Sequence, residues 1–582
     1  IPLRDLRFEN SSGSGSAVKT RWDLFALMGI DNPEWLNADL LADVYFDRGP
    51  ALGAYTVWDE EDFDGSLFAY VVAYDTGEDL LRNGSKNEHD GETRGMVVGE
   101  HRWKLSDTWT MLLEGAYMSD ETFVDGFFEQ LAWSHREYRT GMMLRRQAAN
   151  TLLSLEASGN LNDFIVTDHL LQSRGYSVEK MPEFAYHQVA GDLFPGIQEG
   201  LVTHTWEARL SRMRMDFDKQ TPRNYGFSNA RLANQFLGAD PDESIAEALR
   251  DTGLREELVH RFDTRQEVST SFDTGPIHFR PYVVGRLTAY DDNFSDFSPR
   301  EEDYARAWGS VGIEASTTLT KVDNSVDSAL FDLHRIRHTV RPSVTLWHSE
   351  STIDAVDLPV YDDDVESITE GTAVRVAVDQ TWQTKRGGPG RWRDEDVFQL
   401  GVEYVHFGTD SDRQSPIARW FDWRPELSNP GEFLGASGLW KATNSLAFSG
   451  ETVFDLEISQ QARSSVGMIV DHGPNFSSFV ELRFLNAQDS TFIDVGSRYT
   501  LSRKYAIAWI ASYDDKQDDL QQVAADIERM FPNAVVQVGV RYNNITDEFS
   551  FGFGFTPRGL QGRGVRLQGI GSSNERDQQS GF

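Results

Sequence analysis

Cysteine is absent from this chain of 582 residues. Disulfides, thiolate metal sites and cysteine nucleophiles are therefore excluded, although the absence assigns no compartment. Positive charge is scarce: 55 Lys and Arg stand against 92 Asp and Glu, a net charge of −37. The electrostatic footprint of a DNA- or RNA-binding protein is missing. No uninterrupted apolar run approaches the ~18–20 residues of a membrane-spanning helix. The stretch from Ile1 has neither the basic nor the apolar segment of an export signal, so any such signal is expected upstream or already removed. H-E-x-x-H, G-x-S-x-G, the phosphate-binding G-x-x-x-x-G-K-[ST] and a dinucleotide-type G-x-G-x-x-G between strand and helix are all missing. Thirteen scattered histidines leave a barrel-borne enzyme formally open. The reading adopted is a non-enzyme with no catalytic residues, no cofactor and no metal site.

Aromatic residues, by contrast, are plentiful, with 36 Phe, 18 Tyr and 15 Trp, which opposes intrinsic disorder. A transmembrane β-barrel reconciles this richness with a polar mean composition, because alternate residues of its ~10-residue strands face lipid and lumen. Phe549, Phe551, Phe553 and Phe555 alternate with Ser550, Gly552 and Gly554, a period of two that predicts a strand with an aromatic face. Before them, Val536, Val538, Val540 and Tyr542 alternate with Gln537, Gly539 and Arg541, and Asn543-Asn544 supplies turn residues for an antiparallel hairpin. The pattern recurs at Phe279 to Tyr290, at His338 to Trp347, at Ala38 to Asp47, at Val18, Thr20, Trp22 and Leu24, and at Tyr505, Ile507, Trp509 and Tyr513. No composition break divides the chain. At ~10 residues per strand plus turns and loops, it accommodates roughly 24–28 strands. A large soluble all-β protein alternates likewise, but no propeller or solenoid repeat of fixed period is present.

Two passages read as loop helices. Asp240-Pro241 suits an N-cap and first position ahead of Ile245, Leu249 and Leu254, and residues 517–531 place Leu520, Val523, Ala524, Ile527 and Phe531 on one helical side. Glu60, Asp62, Asp64 and Gly65 imitate half a calcium loop, but Val71 stands where the bidentate Glu belongs, so a solvated acidic loop is the better reading. Asp362-Asp363-Asp364, and Asp514-Asp515 with Asp518-Asp519, are further acidic clusters expected in loops, where solubility explains them as well as weak divalent-cation binding does.

Several motifs, in order, resemble those of one protein family. Asn37 to Gly49, ending Tyr45-Phe46-Asp47-Arg48-Gly49, is similar to an early strand of that family, as is Leu52-Gly53-Ala54-Tyr55. Arg102 to Trp109, followed by Tyr117-Met118-Ser119-Asp120-Glu121-Thr122-Phe123-Val124-Asp125, resembles its strand, turn and Tyr-x-Ser-Asp-x-x-Phe signature. Met181-Pro182-Glu183-Phe184 resembles a strand start, His338-Thr339-Val340-Arg341-Pro342 a His-x-x-x-Pro strand, and Phe553 to Leu560 the closing strand and its Arg-Gly-Leu ending. Together, in this order, they resemble the LptD family of outer-membrane lipopolysaccharide-assembly proteins; that family's periplasmic jelly-roll is missing or lies upstream of Ile1, and its disulfides have no cysteines here.

The resemblance implies an all-β fold, a large transmembrane antiparallel β-barrel of about 26 strands, in the outer membrane of a Gram-negative type cell. Residues 1–16 are expected to be a linker or the end of an upstream periplasmic domain, 17–557 the barrel, and 558–582 a mobile tail. The implied function is insertion of lipopolysaccharide into the outer leaflet, with a passive porin or polysaccharide-export channel as the alternative. The implied partners are lipopolysaccharide, a plug lipoprotein of the LptE type and periplasmic bridge proteins of the same pathway, and not nucleic acid. A closed barrel must pair its first and last strands, the one seam without a covalent turn. An exit gate is therefore expected between Val18, Thr20, Trp22 and Leu24 on one side and Phe549, Phe551, Gly552, Phe553, Gly554 and Phe555 on the other, with Pro557 just beyond.

Overall fold

The computed structural model describes residues 2–557 except 13–14, 82–83, 133–135, 167–172, 297–303, 369, 409–430, 487–488 and 545. The expected tail, 558–582, lies outside the described residues. Twenty-eight ladder segments form one sheet. Phe272–Thr274 prolongs Val259–Thr270 along a shared neighbour, and Leu319–Ser328 prolongs Ala305–Thr317 in the same way, so the wall has 26 strands. Every neighbouring pair is antiparallel, and Leu3–Ser11 pairs with Glu548–Pro557 to close the barrel.

The barrel begins earlier than expected. Leu3–Ser11, assigned from sequence to a linker, is the first barrel strand, and Val18 lies in the second, Gly15–Asp23. Arg4, Asp5, Arg7 and Glu9 make the first strand too polar to read as membrane-spanning, but ladders on both sides fix it in the wall. A second correction concerns residues 517–531, where Asp519–Met530 is a strand between Tyr505–Asp514 and Ala534–Asn543. Its apolar residues satisfy a helical period and a period of two at once, and two edges offering backbone partners decide for the strand. The helix expected from Asp240 starts at Ile245 after Ser244 and ends at Asp251, because Asp240 and Glu243 first close a turn. Met181-Pro182 does not start a strand but lies inside Tyr176–Asp192 at a register shift.

Strand alternation sorts the faces. Leu67, Val71 and Val97 are exposed on the outer wall, while Tyr70, Val72, Arg94 and Met96 are buried on the inner one. Both chain ends of the wall lie at one end, where the connections are mostly short. At the other end, the strands of the first two-thirds of the sheet are joined by long connections, over residues 76–91, 119–139, 160–175, 218–258, 291–304 and 352–370. Their described parts pack on wall residues in shared apolar clusters: Phe123 and Phe127 with Tyr45, Met96 and Met118 of the wall, and Phe294, Ile353 and Tyr361 with Met213 and Phe217, while Tyr225, Leu237 and Ile245 form a third among the connections themselves. From Leu446 onward the connections at this end are tight hairpins whose left-handed residues are Ser459, Asp489, Asp518 and Asp547. Asp tolerates positive φ through its short polar side chain, so Asp518 is there for the turn. Asp514 beside it accepts the backbone N–H groups of Lys516 and Gln517.

Candidate functional site

The seam of the barrel is bonded differently on its two sides. Leu3–Ser11 is tied inward to the next two strands by ion pairs: Arg4 to Asp23 at 2.7 Å and Asp39 at 3.0 Å, and Lys19 to Glu9 at 2.6 Å. Toward the last strand it has a six-residue ladder, from Leu6 opposite Phe555 to Ser11 opposite Ser550. The side-chain bonds there involve hydroxyls: Thr556 donates to Asp5 at 2.9 Å, Ser12 Oγ accepts the Phe549 N–H at 3.0 Å, and Ser11 donates to Glu548. Gly554, Gly552 and Ser550 line the lumen opposite Arg7, Glu9 and Ser11, and no charged side chain can come from those three positions. Phe549, Phe551 and Phe553 are exposed on the outer face, where Phe553 faces Phe8.

The expected gate residues are thus only half brought together. Val18, Thr20 and Trp22 sit one strand away from the seam, and Leu24 opens the helix Leu24–Met28, capped by the Asp23 carboxylate. Their ladder with Leu36–Tyr45 is itself interrupted between Val18 and Arg21, and Thr20 N–H donates instead to Asp43 at 2.9 Å.

Above the wall, two of the motifs singled out in the sequence meet. Arg48, fully buried in the turn after Leu36–Tyr45, donates to Asp75 at 2.9 and 2.6 Å and also reaches Asp79. Arg94 bridges Asp75 and Asp79 at 2.7 Å each and Asp120 at 2.6 Å. Thr122 donates to Asp79 at 2.7 Å, and Phe127 lies under the Arg48 guanidinium at 4.1 Å. His89 bonds Asp79 at 2.9 Å. Burial opposes charge on that imidazole, but the bond to Asp79 outweighs it and holds its pKa above the ordinary value. Asp75, Asp79 and His89 are close enough to share a cation, but Arg48 and Arg94 already take the same carboxylate oxygens, so the arrangement is an ion-paired clasp between loops.

A second charged assembly lies on the inner wall. The connection 352–370 turns into the barrel mouth and carries the short helix Asp363–Glu366. Glu366, fully buried, accepts from Arg261 at 2.7 Å, from Tyr290 Oη at 2.7 Å and from the Asp362 N–H at 2.7 Å. Asp362 pairs with Arg261 and with Lys180 at 3.2 Å; burial raises its carboxyl, yet these cations prevail and hold it down at about 2. Asp363 meets Arg174 at 2.5 Å, and Asp364 takes the Arg209 fork at 2.5 and 3.2 Å. Arg286 and Arg306 donate to main-chain carbonyls of the same connection. The register shift at Met181-Pro182 lets Lys180 and Glu183 both point inward, where Glu183 accepts from Ser211 at 2.6 Å. The sequence drew attention to Asp362-Asp363-Asp364 but not to the arginines, which are scattered over four strands and one loop.

Residues 92–376 match the family model described as LptD, LPS transport system D. That stretch of the chain belongs to the LptD family. It spans the wall from the strand Glu92–Lys104 into Gly371–Arg386, and so contains Arg94, Asp120, Thr122 and the whole 352–370 connection. An LptD barrel is a lipopolysaccharide-transport protein of the outer membrane, and this wall of 26 antiparallel strands is of outer-membrane type. No curated protein matches the chain. Similar solved structures include one described as asymmetric conductivity of engineered proteins, at 12% identity, and two mutants of Rhodopseudomonas blastica porin, each at 11%. All three alignments cover 52% of this chain and 92% of the other, with TM-scores of 0.20, 0.21 and 0.20.

Proposed function

We propose that this barrel inserts lipopolysaccharide into the outer leaflet of the outer membrane. The sugar head crosses the polar lumen while the acyl chains leave sideways between Leu3–Ser11 and Glu548–Pro557. What supports the reading, beside the family, is the bonding asymmetry at the seam: ion pairs on one side of the first strand, a glycine-lined ladder with hydroxyl bonds on the other. Separating two strands exposes backbone N–H and C=O groups that the hydrocarbon region cannot satisfy, so a seam that opens needs few bonds and a polar cargo to replace them. By the habit of such barrels, the long connections face outside and the short turns the periplasm. A lumen of this size is too wide for wall side chains to fill, which suits a plug lipoprotein of the LptE type, with bridge proteins delivering cargo at the short-turn end.

Depletion of the protein, followed by measurement of surface lipopolysaccharide, tests the proposal. A fall in surface lipopolysaccharide with accumulation inside is expected, and an unchanged surface level refutes it. Rapid solute influx into liposomes containing the barrel alone, with no partner, would instead identify a porin.

A further inference from the structure

We propose that Lys180, Arg209 and Arg261 of the inner wall, with Arg174 of the adjoining loop, form a binding site for a phosphate-bearing sugar headgroup, and that the acidic turn 362–364 occupies that site in its place. The proposal rests on the transport reading above and assigns a place on the wall to the cargo's charged part.

In a chain with a net charge of −37, this stretch of wall is a concentration of cations facing inward. Six basic side chains, the four above with Arg286 and Arg306, converge on residues 362–368. Of the carboxylates bonded to them, Asp362, Asp363, Asp364 and Glu366 belong to the connection, while Glu183 and Asp263 belong to the wall. If residues 362–364 withdrew while Glu366 stayed, six cations would face three acids, Glu366 and those two of the wall, an anion-attracting surface in a confined polar lumen.

The turn is built in two tiers. Glu366 is an anchor: its side chain is fully buried, as is that of Arg261, and Tyr290 holds it from the side. Asp363 and Asp364 are different, with side chains 60% exposed, while their partners Arg174 and Arg209 are 21% and 13% exposed. The cations are thus the more buried partners, and their counter-ions sit on the solvent side. Pairs with one partner open to solvent are screened and contribute little. A phosphomonoester brings about −1.5 to −2 charges and three acceptor oxygens, against one charge per aspartate. Arginine's planar fork fits phosphate oxygens as well as it fits the Asp364 carboxylate. A phosphorylated sugar can therefore displace Asp363 and Asp364 from Arg174 and Arg209 while Glu366 keeps the connection in place.

The test uses the full chain purified in detergent, with a bis-phosphorylated glucosamine disaccharide as probe and its dephosphorylated form and inorganic phosphate as comparisons. The double substitution Asp363→Asn, Asp364→Asn should bind the bis-phosphorylated probe about tenfold more tightly than the unsubstituted chain. Adding Arg174→Gln and Arg209→Gln should abolish the gain. Both sets leave Glu366 and Arg261 intact, and retained heat-modifiable mobility on gels confirms folding. No gain in the asparagine variant, an equal gain for the dephosphorylated disaccharide, or equally tight binding of inorganic phosphate would each overturn the assignment. Because binding is read without export, a chain that shows this pattern but does not raise surface lipopolysaccharide retains the site and loses only the transport reading. A chain that exports but shows no gain loses only the site.

Discussion

Phe551 and Gly554 lie three residues apart in one strand and meet different surroundings, so substitution separates the two faces of the wall. Phe551 is exposed on the outer face opposite Val540, and Gly554 is on the inner face opposite Gln537 and Arg7. Phe551→Arg places a guanidinium against lipid at a cost of about 2–4 kcal/mol near the midplane. A side chain at Gly554 starts from a Cβ 3.9 Å from Gln537 Cβ and 4.0 Å from Arg7 Cγ, which is ordinary contact. Gly554→Arg should therefore leave membrane insertion nearly intact and narrow the lumen, whereas Phe551→Arg should lower the folded fraction in bilayers; equal losses would mean the faces are misassigned. In the loop clasp a glycine is required for space. A Cβ on Gly126 would stand 2.0 Å from Asp79 Oδ1, inside the bonds that Asp79 makes to Arg48, Arg94 and His89. Gly126→Ala should destabilise the folded loops by about 1–3 kcal/mol through overpacking. Gly115→Ala, with nothing within 4 Å, should not; protease sensitivity of the loops in detergent-solubilised protein compares the two.

Among the elements, those with one apolar and one polar face were legible: the hairpin of Ala534–Asn543 and Glu548–Pro557, the strand Ile277–Tyr290 and the strand Leu333–Ser351 all alternate cleanly. Those that misled fail for stated physical reasons. Leu3–Ser11 faces the lumen with charges, and Asp519–Met530 has alanines and an isoleucine that suit either period until pairing decides. The loops were least legible, because their folds depend on contacts with distant strands. The connection 218–258 illustrates this with a buried carboxyl at its root. Asp218 accepts hydrogen bonds from Tyr225 Oη at 2.5 Å, Ile165 N at 2.7 Å and Gln220 N at 2.8 Å, yet burial dominates and pushes its pKa up to about 6. With the folded pKa above the unfolded one, the folded loop retains a proton that the unfolded loop has lost. Stability therefore falls as pH rises from about 4 to about 6, by roughly 3 kcal/mol, and is level on either side. Hydrogen exchange of the Ile165 amide, corrected for its intrinsic rate, should show protection greatest near pH 4. Asp218→Asn should flatten the profile, and protection rising with pH would contradict the assignment.

For the molecule as a whole, closure is the property that no local pattern could announce. Alternation indicates that strands exist and which way each faces, but the partner of the last strand is fixed only when the whole sheet has curved round. That is why Phe549 to Phe555 could be read as a seam strand while its partner was sought at Val18 rather than at Leu6 to Ser11. The same limit hid the cations around residues 362–368, since Arg174 and Arg306 are brought together only by curvature and a returning loop. The closed seam also provides a matched pair of cross-links. Gly554 stands in register with Arg7 across the seam and with Gln537 across the ordinary ladder behind it. A Cβ on Gly554 would stand 3.9 Å from Gln537 Cβ, in the range that disulfides accept, and Arg7 is its directly paired residue across the seam. In a chain without cysteine, Arg7→Cys with Gly554→Cys locks the seam, and Gln537→Cys with Gly554→Cys locks a neighbouring pair of strands that has no reason to part. The 2.6 Å pair of Arg7 with Asp5 is a partly exposed contact worth about 0–1 kcal/mol, and heat-modifiable mobility on gels checks that both variants fold. If the seam opens during transport, oxidation should arrest surface delivery of lipopolysaccharide in the first variant and reduction should restore it, while the second continues in both states. Export that persists with the seam fully cross-linked, or that stops equally in both variants, would exclude an exit between the first and last strands.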